Sequence, residues 1–312
     1  MNLNLGSFKY IVITPCKNEG KNLPRLASSV VSQSVKPLLW VIIDDGSTDE
    51  TPRVIQELKK KYKWIKSIRT NGVVRDRGIH ISKVLRRGYN FAEWFCRKAK
   101  IRFEYLSVID GDMILEPKYF EKIISEFKKD IKLGIASGGL YHFKRGKLIR
   151  EDVRESEPSG GEMVIRRVCF EDCGGFPVSY AWDTELNTKA KLRGWKTKRF
   201  EHVMAIETRD TGSVGGYWKG YVHKGKATYY LDFNPMYIIL GSLKYSLKYP
   251  YYLGIAYSYG YFSSLAKKME KTKDFTVRNY FFTQRPREVK KYYTEKFLNL
   301  IKKINYRNEN KK

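Results

Sequence analysis

The sequence predicts an α/β fold: a mostly parallel, twisted sheet flanked by helices, with a helical C-terminal appendage. Short apolar runs, such as 38–43 and 105–109, alternate with stretches that repeat apolar residues at helical spacing. This alternation is typical of β-α-β units, whose strands lie parallel and whose crossovers are right-handed. The chain has 312 residues, enough for one large domain or for a domain with an appendage.

The first 113 residues supply the alternating elements. Short runs rich in β-branched or aromatic residues predict strands at 8–14, 38–43, 64–69 and 105–109. Apolar residues at helical spacing predict helices between these strands, at 23–31, 51–62 and 79–99. The run 38–43 is apolar throughout, which indicates a strand buried on both faces of a parallel sheet.

Polar clusters follow three of these strands, at 14–19, 44–49 and 110–112. Ligands of such sheets bind at the carboxyl ends of the strands, so we expect the three clusters at one edge. Asp110 and Asp112 are separated by one residue and would face the same point from an extended segment. A divalent cation carrying phosphate oxygens suits such a pair, although Asp-Gly-Asp is also an ordinary surface turn.

The composition restricts the classes of partner that the protein is expected to bind. Lys and Arg outnumber Asp and Glu by 60 to 33, a net charge of +27 that favours anionic partners such as nucleotides, nucleic acid or a membrane surface. Glycine-rich phosphate loops of the dinucleotide-binding and P-loop types are absent from the sequence. The phosphates would then be held by a metal on Asp110 and Asp112 and by basic side chains.

Cysteine spacing and the N-terminal sequence predict a cytoplasmic protein. The four cysteines fit neither a zinc site nor a disulfide scaffold, so we interpret them as buried thiols in a reducing compartment. The N-terminal residues lack the basic and apolar regions of a secretory signal.

An ordered set of motifs resembles those of family 2 glycosyltransferases, which have the GT-A fold. The motifs are Ile13-Thr14-Pro15-Cys16-Lys17-Asn18-Glu19, Val41-Ile42-Ile43-Asp44-Asp45-Gly46-Ser47-Thr48-Asp49, Ile109-Asp110-Gly111-Asp112, and the acceptor-side segments Gly160-Gly161 to Pro177 and Trp182 to Trp195. The resemblance covers about residues 8 to 215. It implies an enzyme that binds a nucleotide-diphosphate sugar, either a UDP-sugar or a GDP-sugar.

The resemblance implies a role for each donor-side residue. Asp45 would accept a hydrogen bond from the nucleotide base, and Thr14, Pro15 and Glu19 would line the nucleoside pocket. Asp110 would lie near the ribose or the metal. Asp112 would hold the Mg²⁺ or Mn²⁺ ion that bridges the diphosphate.

On the acceptor side, the resemblance makes Asp183 the general base for the acceptor hydroxyl. An alternative role for Asp183 is N-cap of the helix that follows, since Asp is a favoured N-cap residue. Gly161 and Glu185 fall in the acceptor-binding segments. The family often has an acidic residue before the base, and here Trp182 would instead stack on an acceptor sugar.

A further departure concerns the metal ligands, and two arginines are candidates for contacts with the substrate. The family often has a histidine downstream as a metal contact; here Glu207 would replace it, with His202 as the competitor. Arg209 would bind the diphosphate or an acidic acceptor. Arg77 follows the third strand and either contacts the pyrophosphate or belongs to a solvated basic loop.

The predicted catalytic domain spans 1–215, with a nucleotide-binding half at 8–113 and an acceptor half at 114–215. The remainder, 216–312, is rich in Tyr and Lys and is expected to be mainly helical. Residues 215–221 suggest a flexible acceptor lid. The uncharged stretch 249–266 is interpreted as a buried helix pair, a segment in the membrane interface or, least favoured, a transmembrane helix.

The leading hypothesis is therefore a metal-dependent inverting glycosyltransferase. The Q-x-x-R-W signature of processive synthases is absent, so transfer of one sugar to a glycan or lipid-linked acceptor is expected, with peripheral contact to the cytoplasmic membrane face. The alternatives are a nucleotidyltransferase on a similar fold and a non-catalytic, basic nucleic-acid-binding protein. No recognition helix or zinc knuckle supports the latter, so no nucleic-acid partner is expected.

Overall fold

The computed structural model describes residues 8–72, 78–144, 147–151, 153–209 and 216–291, together with 294 and 298. The chain divides into two compact units, Met1–Gly216 and Tyr217–Lys312. This division falls one residue from the boundary predicted from the change in composition.

The first half of the first unit alternates strands and helices as predicted. Its elements are β1 (Tyr10–Cys16), α1 (Leu23–Val31), β2 (Leu39–Asp44), α2 (Thr51–Lys61), β3 (Ile65–Arg69), α3 (Ile79–Lys98) and β4 (Tyr105–Ile109). The strands lie parallel in the order β3-β2-β1-β4. The first strand continues through Pro15, where the sequence had predicted its end, and Pro15 stands opposite Ile43 in the ladder.

The second half of this unit adds antiparallel strands. Its elements are β5 (Met113–Leu115), α4 (Tyr119–Lys129), β6 (Leu133–Lys144), β7 (Lys147–Arg150), β8 (Glu162–Arg166), α5 (Arg167–Asp172), α6 (Trp182–Leu192) and β9 (Lys196–Glu207). The sheet continues from β4 in the order β8-β6-β9-β5, and β7 pairs with β6. Here β8 is antiparallel to both β4 and β6, while β9 runs parallel to β6 and antiparallel to β5.

These antiparallel pairs bring two more segments to the edge where β4 ends. Because β8 runs against β4, the residues before β8 reach the same edge as the residues after β4. Because β9 runs against β5, the residues after β9 likewise meet the residues before β5. The sheet thus gathers Asp110, Gly161, Asp112 and Arg209 along one edge.

Apolar side chains cover both faces of the sheet. Along β1, Tyr10 and Val12 belong to one buried cluster, while Ile11 and Ile13 belong to a second cluster on the opposite face. The alternation follows from the two-residue period of a strand. Burial on both faces confirms the predicted fold class, a sheet with helices packed on each side.

The second unit is helical. It contains α7 (Tyr217–Tyr230), α8 (Met236–Ser246), α9 (Leu253–Ala266) and α10 (Phe275–Asn279), followed by a π-helical turn at Tyr280–Gln284. The flexible lid expected at 215–221 stays a prediction, and the structure shows that α7 begins within it, at Tyr217. Among the helices of the described residues, none is long and apolar enough to cross a membrane.

Helices α7 and α9 approach closely at two glycines. A Cβ atom added at Gly225 would lie 2.0 Å from the carbonyl oxygen of Tyr257, and one added at Gly260 would lie 2.1 Å from that of Val222. Any side chain at either position would therefore force the two backbones apart.

Candidate active site

The loops that follow β1 and β4 meet at one edge of the sheet. Strand β1 lies between β2 and β4, so the polar residues that follow these strands are neighbours. Gly111 lets the two loops approach, since a Cβ atom there would stand 3.0 Å from Cγ of Glu19 and 3.3 Å from Cβ of Cys16. The first polar cluster therefore contacts the Asp-Gly-Asp segment directly.

Asp45, at the end of β2, is held by side chains from later elements. Its carboxylate is 6% exposed. One oxygen accepts a hydrogen bond from Thr70 Oγ1 at 2.6 Å, and the other accepts one from His80 Nε2 at 2.8 Å. Lys17 Nζ lies 3.8 Å from Asp45 Oδ2. Sequence reasoning missed Thr70 and His80, which reach Asp45 only through the tertiary fold.

Asp44 has a structural role in the turn after β2. Its buried carboxylate accepts a hydrogen bond from the backbone N–H of Ser47 at 2.9 Å and pairs with Arg69 at 2.8 Å. These contacts fix the turn after β2. The two adjacent aspartates therefore make different contacts. Asp44 stabilises the loop, and Asp45 binds the side chains of Thr70 and His80.

Arg209 joins the first polar cluster to the Asp-Gly-Asp segment. Its guanidinium group donates to Asp112 Oδ2 through Nε at 2.8 Å and through a terminal nitrogen at 2.6 Å. The same terminal nitrogen lies 2.6 Å from Glu19 Oε1. Glu19 and Asp112 are both buried, so Arg209 supplies the positive charge that two buried carboxylates require.

Asp110 lies where several negative charges converge. Its side chain reaches solvent, but protein atoms crowd around it. Desolvation by these atoms, together with the charges of Asp112, Glu19 and Asp183, raises the pKa of Asp110 to about 7, although Arg209 opposes the shift. A carboxyl group with so many acidic neighbours favours a cation beside it.

Asp183 lies in the first turn of α6. The N-cap of this helix is Ala181, so the alternative that Asp183 acts as the N-cap is wrong. The Asp183 carboxylate accepts the backbone N–H of Thr184 at 2.7 Å and also interacts with the N–H of Gly160. Burial raises the pKa of Asp183 despite these hydrogen bonds. A carboxylate with a raised pKa is a stronger base, as proton abstraction requires.

Gly160 and Gly161 fit between Asp183 and Asp110. A Cβ atom at Gly160 would lie 2.9 Å from Cβ of Asp183, and one at Gly161 would lie 3.1 Å from Oδ2 of Asp110. In addition, the backbone N–H of Asp110 donates to the carbonyl of Gly161 at 2.9 Å. The diglycine segment thus sets the separation between two carboxylates that are more than seventy residues apart in sequence.

Several predicted site residues are instead buried in the protein interior. Thr14 is fully buried, and its hydroxyl accepts a hydrogen bond from the Trp40 indole at 2.9 Å. Trp182 is 8% exposed and stacks edge-on against Phe176, so its indole offers little surface to an acceptor sugar. Glu185 is buried and pairs with Lys189 at 3.3 Å.

Pro15 lies within β1 and is also buried, so its side chain is not exposed to a pocket. Arg77 lies outside the described residues.

The predicted metal ligands Asp110, Asp112 and Glu207 do not form one group in the structure. Within the described part of the chain, no group of three His, Cys, Asp or Glu side chains is arranged to hold a metal ion. Glu207 ends β9 opposite Met113 and does not join Asp110 and Asp112 in such a group. His202 is exposed and packs edge-on against Phe200. The third protein ligand predicted from the sequence, Glu207 or His202, is therefore not supported.

The two aspartates by themselves fit a divalent cation. Mg²⁺ is commonly bound by one or two carboxylates, with substrate phosphates and water completing its coordination. Asp110 and Asp112 are close enough for the charge of one to raise the pKa of the other. They would suit an ion that brings its remaining ligands with a nucleotide diphosphate.

A second group of charges lies inside the acceptor half. Glu162 is fully buried, and burial raises its pKa to about 8. One of its oxygens accepts a hydrogen bond from Ser159 at 2.7 Å, while the other has no hydrogen-bond partner among the described residues. Arg199 is equally buried and lies 3.4 Å from Glu201. Sequence reasoning missed this group, because isolated charges within predicted strands gave no sign that they face inward.

Comparison with known proteins agrees with this geometry. The model of the family described as Glycosyl transferase family 2 matches residues 11–182, more than half of the chain. The match ends one residue before Asp183, so it covers the donor-side motifs and the diglycine segment but neither Asp183 nor Arg209.

Two curated relatives are synthases. Poly-beta-1,6-N-acetyl-D-glucosamine synthase of Staphylococcus epidermidis is 25% identical over 224 residues, which are 65% of this chain and 50% of the relative. Chondroitin synthase of Escherichia coli is 30% identical over 122 residues, 39% of this chain and 16% of the relative. The matched part of the chain spans about half the length of the first relative and 16% of the length of the second.

Solved structures share the fold. The mannosyltransferase PcManGT from Pyrobaculum calidifontis, in complex with GDP-Man and Mn²⁺, has a TM-score of 0.52 at 14% identity, covering 83% of this chain and 73% of that one. Residues 1–349 of S. aureus TarS in complex with UDP give a TM-score of 0.50 at 15% identity, covering 69% of this chain and 64% of that one. The fold is therefore of the GT-A type, and the chain belongs to glycosyl transferase family 2.

Proposed function

We propose that the protein is an inverting glycosyltransferase that moves one sugar from a nucleotide-diphosphate sugar to an acceptor hydroxyl. One observation carries the proposal: Gly160 and Gly161 hold Asp183 and Asp110 on either side of a single two-residue segment. Asp110 belongs to the acidic pair suited to a metal and a diphosphate, and Asp183, on the other side of the glycines, would act as a base.

The donor would bind along the ends of β1, β2 and β4. Asp45 is oriented by Thr70 and His80, and it would accept the N–H of a nucleotide base. Both PcManGT with GDP-Man and TarS with UDP support a nucleotide-linked donor of the GDP or UDP type. We call the residues at these strand ends, together with Arg209, the donor side.

The leaving group is a nucleoside diphosphate, on which negative charge builds as the bond to the sugar breaks. A divalent cation, Mg²⁺ or Mn²⁺, held by Asp110 and Asp112 would neutralise that charge as a Lewis acid. Arg209 is already in contact with Asp112 and would add a second positive charge beside the phosphates. Neither contribution requires a proton to be delivered to the leaving group.

Asp183 would act as the general base on the acceptor side, which we define as Asp183, Gly160 and Gly161. The acceptor oxygen attacks the anomeric carbon, its proton passes to the Asp183 carboxylate, and the sugar–phosphate bond breaks with its electron pair on the diphosphate. A single displacement of this kind inverts the configuration of the anomeric carbon. Burial, which raises the pKa of Asp183, supports this role.

The acceptor is proposed to be a glycan, free, protein-bound or linked to a lipid. The curated relatives are named as synthases of polysaccharides, which supports a glycan acceptor. A lipid-linked acceptor would place the enzyme at a membrane surface, and we propose a peripheral location on the cytoplasmic face.

A donor panel tests the proposal. UDP- and GDP-sugars are incubated with the protein, a mixture of glycan and lipid-linked acceptors, and Mg²⁺ or Mn²⁺, and the released nucleoside diphosphate is measured. We expect release from one or two donors, its loss on chelation of the metal, and an inverted anomeric configuration in the product. Release unaffected by a chelator would contradict the metal assignment, and retention of configuration would contradict the single displacement.

A further inference from the structure

Helix α8 of the second unit carries almost no buried side chain. Of its 11 residues, Ile238 alone is buried. Its exposed apolar residues recur at helical spacing along one stripe and continue past its C-terminus: Met236, Ile239, Leu240, Leu243 and Leu247. Leu247 is 84% exposed, far more than a residue that packs into the unit's own core. A helix that is apolar on its outer side requires an apolar partner.

Helix α9 is apolar on both of its faces. The inner face, with Leu253, Ala256 and Tyr257, is buried in the cluster that forms the core of the unit. The outer face exposes Ile255, Tyr259 and Phe262, again at helical spacing. The connection between α8 and α9 also exposes Tyr249 and Tyr251. We call the exposed apolar residues of α8, α9 and this connection the apolar docking surface.

The charges within the segment that carries this surface are all positive, and its nearest acidic neighbours in sequence are Asp232 and Glu270. Between residues 233 and 269 the only charged side chains are Lys244, Lys248, Lys267 and Lys268, with no Asp or Glu. Two copies of the chain that met through this surface would bring like charges together. A layer of anionic headgroups over an apolar interior complements both features, since lysines bind the headgroups and apolar residues enter beneath them.

Contacts within the helical hairpin suit an apolar environment. The hydroxyls of Ser242 and Ser258 are hydrogen-bonded at 2.5 Å, and Gly254 allows α9 to approach the carbonyl oxygen of Ser242. Small residues and interhelical hydroxyl bonds of this kind hold helices together where surrounding lipid weakens the hydrophobic effect between them. With 14 residues, α9 extends about 21 Å, short of the ~30 Å hydrocarbon core, so it could enter a membrane surface but not span it.

We propose that the apolar docking surface inserts into the headgroup region of an anionic lipid membrane. Exposed tyrosines strengthen the proposal, because their rings are stable at the boundary between headgroups and acyl chains. The inference goes beyond the proposed sugar transfer and does not depend on it. A protein that transferred no sugar would still bind membranes through this surface.

Vesicle flotation with the full chain tests the proposal. We expect the protein to float with vesicles of equal parts phosphatidylglycerol and phosphatidylcholine, and to float much less with phosphatidylcholine alone. The variant Leu243→Ser/Leu247→Ser should lose flotation. Its matched control, Ile131→Ser/Val168→Ser, changes two exposed apolar residues of the first unit and should float like the wild type. Loss of flotation in both variants, or in neither, would overturn the assignment.

The lysines provide an independent measurement. Replacing Lys244 and Lys248 by Gln should weaken binding to the mixed vesicles by about fivefold for each lysine, whereas Lys60→Gln/Lys63→Gln should change it little. Binding of the wild type should weaken as salt is added. Absence of vesicle binding by the wild type would overturn the proposal, and a dimer in sedimentation that depends on Leu247 would identify a second copy of the chain as the occupant instead.

Discussion

Three carboxylates on the donor side, Asp45, Asp112 and Glu19, are held by other side chains, whereas Asp183 on the acceptor side is held by backbone N–H groups. Asp112 and Glu19 share the guanidinium group of Arg209, and Asp45 binds Thr70 and His80. Asp183 accepts from the N–H groups of Thr184 and Gly160, and among the described residues no cation lies within hydrogen-bond distance of it.

This difference matches two electrostatic requirements, binding an anionic donor and accepting a proton. A donor site must bind a group that already carries negative charge. Arg209 neutralises Glu19 and Asp112 in advance, while the raised pKa of Asp110 favours a bound cation. A base must take up a proton, and it does so more readily when its negative charge is poorly compensated. The raised pKa of Asp183 supports its proposed role as the base.

Replacing Asp183 should have the largest effect. In Asp183→Asn we expect kcat to fall by ~100- to 10,000-fold, because an amide cannot accept the acceptor proton, while the donor affinity stays within about twofold. Released nucleoside diphosphate and donor titration measure the two quantities. Asp130→Asn, which alters an exposed carboxylate paired with Lys196, is the matched control and should retain activity. Full activity in Asp183→Asn would exclude its role as the base.

Adding one methyl group at either glycine should distinguish the two sides. In Gly160→Ala the new Cβ atom displaces Asp183, so kcat should fall by about 100-fold with little change in donor binding. In Gly161→Ala the displaced residue is Asp110, so the KM for the donor should rise instead. Steady-state kinetics of both variants, with their melting temperatures, provide the comparison. Identical kinetic profiles would show that the segment does not separate the two carboxylates.

Removing Arg209 should free the donor-side carboxylates. In Arg209→Gln we expect the donor-free protein to bind Mn²⁺ about tenfold more tightly, because Asp112 and Glu19 lose their resident cation. Titration followed by electron paramagnetic resonance measures this affinity without any turnover. Arg97→Gln, at an exposed helix pair with Glu93, is the matched control. An unchanged Mn²⁺ affinity would mean that Arg209 and the metal do not compete for these oxygens.

Glu162 should produce a smaller, pH-dependent change in stability. Its pKa is raised from an ordinary value of 4.5 to about 8, so the folded state binds the proton more tightly than the unfolded state. The resulting stabilisation is complete below pH 4.5 and is lost as the pH rises through 8. The melting temperature of the wild type should therefore fall over this range, and the fall should be smaller in Glu162→Gln. Parallel curves for the two proteins would contradict the raised pKa.

The strands of the donor side could be predicted from the sequence because their signals are local. The apolar run 38–43 marks a strand buried on both faces, and the structure places β2 at Leu39–Asp44. The polar clusters were expected at one edge, and the contact between Gly111 and Glu19 confirms that the first and third of them meet. Each inference needed only a short stretch of chain and the topology of a parallel sheet.

The remaining features depend on contacts between distant segments. No local pattern shows that His80 reaches Asp45, or that Arg209 meets Asp112 across β5 and β9. Trp182 was expected to stack on an acceptor sugar, yet its indole packs edge-on against Phe176. Glu207 was predicted as a metal ligand from its place in the stretch that matches the family's histidine and from its carboxylate, but it does not form a group with the two aspartates.

Gly111 couples three parts of the chain that any redesign of the donor site must treat together. Its missing side chain lets Glu19 lie against the Asp-Gly-Asp segment, and Glu19 in turn shares Arg209 with Asp112. An engineer who replaced Gly111 would move Glu19 and so alter the position of the guanidinium group. Residues 19, 111 and 209 are therefore best exchanged between homologous enzymes as one set.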